Sequence, residues 1–229
     1  MALRSKHILL YSSANSVTAF RIFLVFLSVL LFQWNEIAAT VAFFLVILII
    51  ILDSLDGYIA RKYGVASDFG ALFDIAGDRI VENVLWIFFA AAGLISVWIP
   101  IVVVSRGFLV DLIRTVAYSE SGKTPFGKKT MMKSRLGRFL VSSNFSRATY
   151  AVSKVFAFGM LGGLLALNKF SAAGVPLVSG SLLKVFEVTV QILVYTALVF
   201  CILRGIPVLV DGRHLILVRR FPLRAIGDE

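Results

Sequence analysis

Long apolar runs alternate with short polar breaks along nearly the whole chain. Residues 37–51, "IAATVAFFLVILIII", hold a single polar side chain, Thr40. A helix of about 20 apolar residues crosses a bilayer's hydrocarbon core. The pattern predicts six such helices, roughly at residues 17–34, 37–59, 71–95, 98–118, 147–167 and 183–203. The fold class expected is therefore all-α, a polytopic membrane protein with six transmembrane helices. Residues 1–16 read as a juxtamembrane segment, with a surface helix or a partly ordered tail as equal alternatives. Residues 205–229 read as a basic cytoplasmic tail. Its alternating "HLILVRRF" suits an edge strand or a membrane-surface segment.

Composition agrees. Of 229 residues, 59% are hydrophobic and 16% charged, and mean hydropathy is +0.92. A soluble domain of this length needs more polar surface than that. No cleavable signal peptide is expected. Cys201, the single cysteine, lies in an apolar run and excludes an internal disulfide. The net charge of +10 is unevenly spread. Breaks after the first, third and fifth spans are poor in cations, with Lys169 and Lys184 the main ones. The other breaks hold Arg61, Lys62, the basic loop from Lys123 to Arg138, and the cations of both chain ends. The positive-inside rule puts both termini, that loop and the break holding Arg61 and Lys62 in the cytoplasm of a cell-membrane protein. The charge excess is assigned to orientation, membrane lipids and anionic partners, and not to nucleic acid.

One break differs in kind. "DSLDGYIARKYGVASDFGALFDIAGD", residues 53–78, sets Asp53, Asp56, Asp74 and Asp78 between two apolar runs. At about 100° per residue, Asp53, Asp56, Gly57 and Ala60 share one helix face. Gly70, Asp74 and Asp78 share a face of the next helix. A short connection makes these helices antiparallel, so the two acidic faces meet at the cytoplasmic side. A carboxylate at a helix centre costs on the order of 3 kcal/mol. Four together repel unless cations intervene. Hard oxygen donors suit magnesium, manganese or calcium, and paired divalent ions serve phosphoryl chemistry. The plainer reading is solvated helix ends, or pairing with Arg61 and Arg79. The small residues leave room for a ligand or for close helix approach.

The pattern Asp53-x-x-Asp56-Gly57-x-x-Ala60-Arg61, eight residues, Gly70-x-x-x-Asp74-x-x-x-Asp78 resembles the signature of the CDP-alcohol phosphotransferase family. Every signature position is filled. The resemblance implies a six-helix enzyme, usually a homodimer, that moves a phosphoalcohol group from a CDP-alcohol to an acceptor hydroxyl and releases CMP. It implies two divalent cations, Mg2+ or Mn2+, on Asp53, Asp56, Asp74 and Asp78, with Asp78 also the general base. Asp56, Gly57, Ala60, Arg61 and Gly70 would shape the CDP-lipid pocket. Asn15, Thr18 and Arg21 in "NSVTAFRIF" resemble the family's Asn-x-x-Thr-x-x-Arg opening. They would contact the nucleotide or its phosphates. The plain alternative is a helix cap with a snorkelling arginine.

The fourth span carries Arg106, Asp111 and Arg114. An intramembrane arginine faces protein or water. Arg106 pairs with Glu82 or a signature Asp in one reading. In the other, Arg106, Arg114, Arg147 and Lys154 form a pocket for a phosphorylated acceptor. "SRGFLVDLIRTVAY" resembles the corresponding helix of phosphatidylglycerolphosphate synthases, except that Gly107 stands where they have Glu. Asp78-Arg79 is closer to inositol-using members. The donor expected is CDP-diacylglycerol or a related CDP-lipid. The small polar acceptor expected first is glycerol 3-phosphate, with inositol phosphate second and serine or a lipid behind. A divalent-cation transporter and a non-catalytic membrane scaffold are the readings of another class.

Overall fold

The computed structural model describes residues 2–63, 68–121 and 135–217. Side chains are placed at 15–53, 70, 72–117, 137, 139–141, 143 and 145–213. Among the described residues there are seven helices and no strand. They are α1 (Ala2–Gln33), α2 (Glu36–Tyr63), α3 (Asp68–Ala91), α4 (Trp98–Ser121), α5 (Arg135–Ser142), α6 (Asn144–Ala172) and α7 (Gly180–Leu217). Six of them coincide with the six expected spans.

Among the described residues, four stretches are long and apolar enough to cross a membrane: Asn15–Gln33, Glu36–Asp53, Phe145–Ala172 and Gly180–Arg213. α3 and α4 have 24 residues each, about 36 Å at 1.5 Å per residue. That length also spans a hydrocarbon core of about 30 Å. What separates them is charge, carried on α3 by Asp74, Asp78, Arg79 and Glu82 and on α4 by Arg106, Asp111 and Arg114.

The chain divides into two compact units. One comprises residues 1–104 and 151–198, the other 105–150 and 199–229. In the first, α1 packs against α2 and α3. Its buried stripe is Thr18, Arg21, Val25, Ser28 and Phe32, at alternating steps of three and four. Phe20, Phe23, Phe26 and Leu30 face outward. Polar groups inside and aromatic groups outside is the pattern of a helix in lipid. Trp86, Leu85 and Phe89 of α3 fill the centre of this unit. The Trp86 ring meets Phe158 edge-on at 4.7 Å.

The connections of this unit follow local chemistry. Asn35 Oδ1 accepts the Ala38 N–H at 2.9 Å and caps α2. α3 ends at Gly93, φ +75, with the N–H of Leu94 donating to Phe89 O and that of Gly93 to Ala90 O. α6 ends the same way at Gly174, φ +81. Both need a left-handed residue that glycine adopts without strain. Two long side chains clasp these turns. Lys169 Nζ donates to Trp34 O at 2.9 Å, and Gln191 Nε2 donates to Leu94 O at 2.8 Å.

In the second unit, Val110, Ile113, Ala117, Val141 and Val208 form a buried cluster. Val141 brings in α5, a short helix inside the segment expected to be a solvated basic loop. Lys123, Lys128, Lys129 and Lys133 of that loop lie outside the described residues. Ser143 Oγ accepts the Ser146 N–H at 3.1 Å and caps the start of α6.

α1 runs unbroken from Ala2, so residues 2–14 are helical and lead into the apolar stretch that starts at Asn15. One expectation changes. α7 continues to Leu217 with Pro207 inside it, so residues 214–217 of "HLILVRRF" are helical and not an edge strand. Residues 218–229 lie outside the described residues. Proline removes one backbone donor, but the apolar sequence on either side of Arg204 continues the helix.

Candidate functional site

The acidic break becomes a three-helix junction around one guanidinium. Arg21 of α1 donates through Nη2 to Asp53 Oδ1 of α2 at 2.5 Å and to Asp78 Oδ1 of α3 at 2.9 Å. Its Nη1 lies 3.8 Å from Asp74 Oδ1. The Arg21 side chain is 3% exposed, whereas those of Asp53, Asp74 and Asp78 are 49%, 47% and 48% exposed. The cation is the floor of the cluster, and the carboxylates open outward from it.

α1 comes this close to α3 because Gly77 faces Thr18. A Cβ at Gly77 would clash with Thr18 Cγ2. Thr18 is buried in that seam. Asn15 sits half-buried one turn before it, and Gly70 is half-buried in the opening turn of α3. Asp56, Gly57, Ala60 and Arg61 belong to the last turns of α2. Their side chains lie outside the described residues.

One turn beyond Asp78 is Glu82, 7% exposed. Lys154 Nζ of α6 donates to its Oε2 at 2.9 Å, and Arg79 Nη1 is 3.7 Å from the same oxygen. Lys154, expected in an acceptor pocket, is thus tied to α3.

The second unit holds the other cations. Arg204 of α7 is 7% exposed. Its Nη1 donates to Ser146 Oγ at 3.2 Å, and its guanidinium carbon stands 5.7 Å from the Tyr150 ring centre. Ser146 Oγ in turn donates to Leu140 O at 2.7 Å. Arg106 lies along Gly205, where a Cβ would come within 2.7 Å of its Cγ. The Nε atoms of Arg106 and Arg204 are buried and unpaired. Among the described residues, no carboxylate pairs with either. Arg147 is exposed beside Ser146. Arg114 meets Asp111 of its own helix at 3.3 Å.

Arg204 and Glu82 were absent from the expected sites. Arg204 follows the largely apolar, uncharged residues 188–203 and reads as the flank of a span. The signal against that is "GIPVLV" immediately after it, which makes it an arginine within an apolar run.

The sequence matches the family CDP-alcohol phosphatidyltransferase over residues 11–203. The chain belongs to that family. It is accordingly a membrane transferase of phosphate-containing groups in phospholipid biosynthesis, which sets aside the transporter and the scaffold. The chain is similar to the CDP-diacylglycerol--glycerol-3-phosphate 3-phosphatidyltransferase of Rickettsia typhi, 29% identical over 129 residues, 56% of this chain and 72% of the relative. The enzyme of the same name from Mycoplasma pneumoniae is 28% identical over 173 residues, 64% of this chain and 76% of the relative. A CDP-diacylglycerol--serine O-phosphatidyltransferase of Methanocaldococcus jannaschii is 56% identical over 39 residues, 17% of this chain and 19% of that one.

The divalent cations expected from the resemblance can be set against the geometry. Among the described residues, no three His, Cys, Asp or Glu side chains group closely enough to chelate an ion. Asp56, the fourth expected ligand, is outside that set. The donor chemistry nonetheless fits. Three half-exposed carboxylates share one buried positive charge, which leaves negative charge and hard oxygen donors facing outward.

Proposed function

We propose that this protein transfers a phosphatidyl group from CDP-diacylglycerol, or a related CDP-lipid, to a small phosphorylated polyol, glycerol 3-phosphate first. The carrying observation is the convergence of Asp53, Asp74 and Asp78 from two helices onto Arg21 of a third. Three carboxylates gathered this way are costly in a membrane protein unless cationic ligands use them. Two divalent ions, Mg2+ or Mn2+, would be held by Asp53, Asp56, Asp74 and Asp78. When bound they offset charge on the pyrophosphate.

The chain's own residues supply the rest. Asp78 accepts the proton of the acceptor hydroxyl as that oxygen attacks phosphorus. The new oxygen–phosphorus bond forms as the bond from phosphorus to the CMP oxygen breaks, and CMP leaves. Asn15, Thr18, Asp56, Gly57, Ala60, Arg61 and Gly70 are assigned to the CDP-lipid. Arg106 and Arg147 are assigned to the acceptor phosphate, and Arg204 joins them. A buried guanidinium such as that of Arg204, with no carboxylate partner among the described residues, suits a phosphate dianion. Arg114 and Lys154, expected at the acceptor, are already paired within the fold, with Asp111 and Glu82 respectively. The site and both termini face the cytoplasm by the positive-inside distribution, and the working form is a homodimer.

An acceptor panel tests this. Purified protein, CDP-diacylglycerol and Mn2+ or Mg2+ are mixed separately with glycerol 3-phosphate, inositol phosphate, inositol and serine, and CMP is measured. Release with glycerol 3-phosphate well above the others is expected. Release with serine or inositol alone overturns the phosphate-reading assignment. The serine-named relative and the inositol-like Asp78-Arg79 make those arms necessary.

A further inference from the structure

We propose that Arg21 is a built-in counter-charge that holds the metal-free acidic cluster together and competes with divalent cations for its oxygens. This rests on the reading above that the carboxylates hold metal. Arg21 itself is assigned by its contacts.

The resemblance places Arg21 near the nucleotide phosphates. In the structure its contacts are with the carboxylates. One terminal nitrogen donates to Asp53 and to Asp78, and the other faces Asp74. The side chain is 3% exposed and set in the buried stripe of α1. A guanidinium there has no route to water. It stays charged at any working pH. Arg21 is therefore a fixed feature of the floor.

Two consequences follow from one positive charge set, among the described residues, against three negative ones. Without metal, Arg21 is what keeps carboxylates from two helices from repelling one another. With metal, an incoming divalent ion meets a cluster already partly neutralised and must share its oxygens. Arg21 then weakens metal binding while preserving the shape of the site. A positioning residue with this role exchanges metal affinity for a pre-formed cluster.

The test uses full-length protein in detergent, with Mn2+ alone as probe and no substrate. Free Mn2+ is followed by its electron paramagnetic resonance signal, and thermal unfolding is measured in EDTA and in Mn2+. The wild type is expected to bind Mn2+ and unfold at a higher temperature with it. Arg21→Gln is expected to unfold earlier in EDTA, to gain more from Mn2+ than the wild type does, and to bind it about tenfold more tightly or better. Arg21→Lys keeps the charge and is expected to bind Mn2+ as the wild type does. Should Arg21→Gln fail to fold in EDTA, purification in Mn2+ is expected to recover it. An affinity unchanged or weakened in Arg21→Gln overturns the proposal, as does failure of Mn2+ to recover a variant unstable without it. A side chain that merely packs would lower both unfolding temperatures equally and leave the Mn2+ increment as it was. If the wild type binds no Mn2+, the metal reading itself falls.

Discussion

The acidic cluster of α1–α3 and the cationic cluster of α4, α6 and α7 hold opposite charges by opposite means. Asp53, Asp74 and Asp78 are half-exposed and share a buried Arg21. Arg204 is buried and, among the described residues, meets a hydroxyl at 3.2 Å and an aromatic face at 5.7 Å. One cluster is internally compensated in part and open on the other side. The other, among the described residues, has neutral partners for Arg204. Burying an unpaired charge is expensive. The difference shows which charges are structural. Glu82, held by Lys154 and Arg79, is satisfied inside the protein. Arg204 and Arg106 keep guanidinium capacity that the described residues do not use.

The largest effect should come from the open acidic side. Asp78→Asn is expected to lower kcat by about 10²–10⁴-fold, the range for losing a general base, with CDP-lipid binding still measurable. Normal turnover in that variant removes Asp78 from the base role. Next is the cationic side. Arg204→Gln is expected to raise the acceptor KM by about 10–100-fold, as for loss of a charged hydrogen bond. The KM for CDP-diacylglycerol should change far less. A larger rise for the nucleotide lipid would exchange the two assignments.

A third measurement compares satisfied and unsatisfied buried charge through stability. Glu82→Gln leaves Lys154 and Arg79 without their carboxylate and should cost about 1–3 kcal/mol. Arg204→Met removes a charge with no carboxylate partner and should stay within about 1 kcal/mol of the wild type. Denaturation midpoints in detergent read both, and equal losses would erase the contrast. The smallest effect concerns how α1 reaches α3. Gly77→Ala should cost about 1–2 kcal/mol by overpacking against Thr18. Thr18→Ser, which deletes the clashing methyl, should restore most of it in the double variant. Additive losses would place the strain elsewhere.

Much of this was legible in the sequence. The helices announce themselves by unbroken apolar length, and the Asp spacings of three and four put carboxylates on common faces. The partner of those carboxylates was harder to read. That Arg21 faces them depends on the rotation of α1 about its axis, which is set by packing of Val25, Ser28 and Phe32. No local spacing fixes such a rotation. Arg204 was obscured for a related reason. A cation near the end of an apolar run reads as a headgroup contact unless the helix is known to continue, and α7 continues through Pro207. α5 was hidden within a basic segment because its apolar side comes from only a few residues, Val141 among them.

The clasped turns carry a consequence for motion. Lys169 and Gln191 latch onto the carbonyls of Trp34 and Leu94, and Gly93 and Gly174 close the helix ends beside them. In the first unit, then, the hairpins are pinned at their loops, away from the carboxylates. Moving α6 away from the α1–α2 turn, or the Gln191 stretch of α7 away from the turn after α3, therefore means first breaking a side-chain hydrogen bond to a backbone carbonyl.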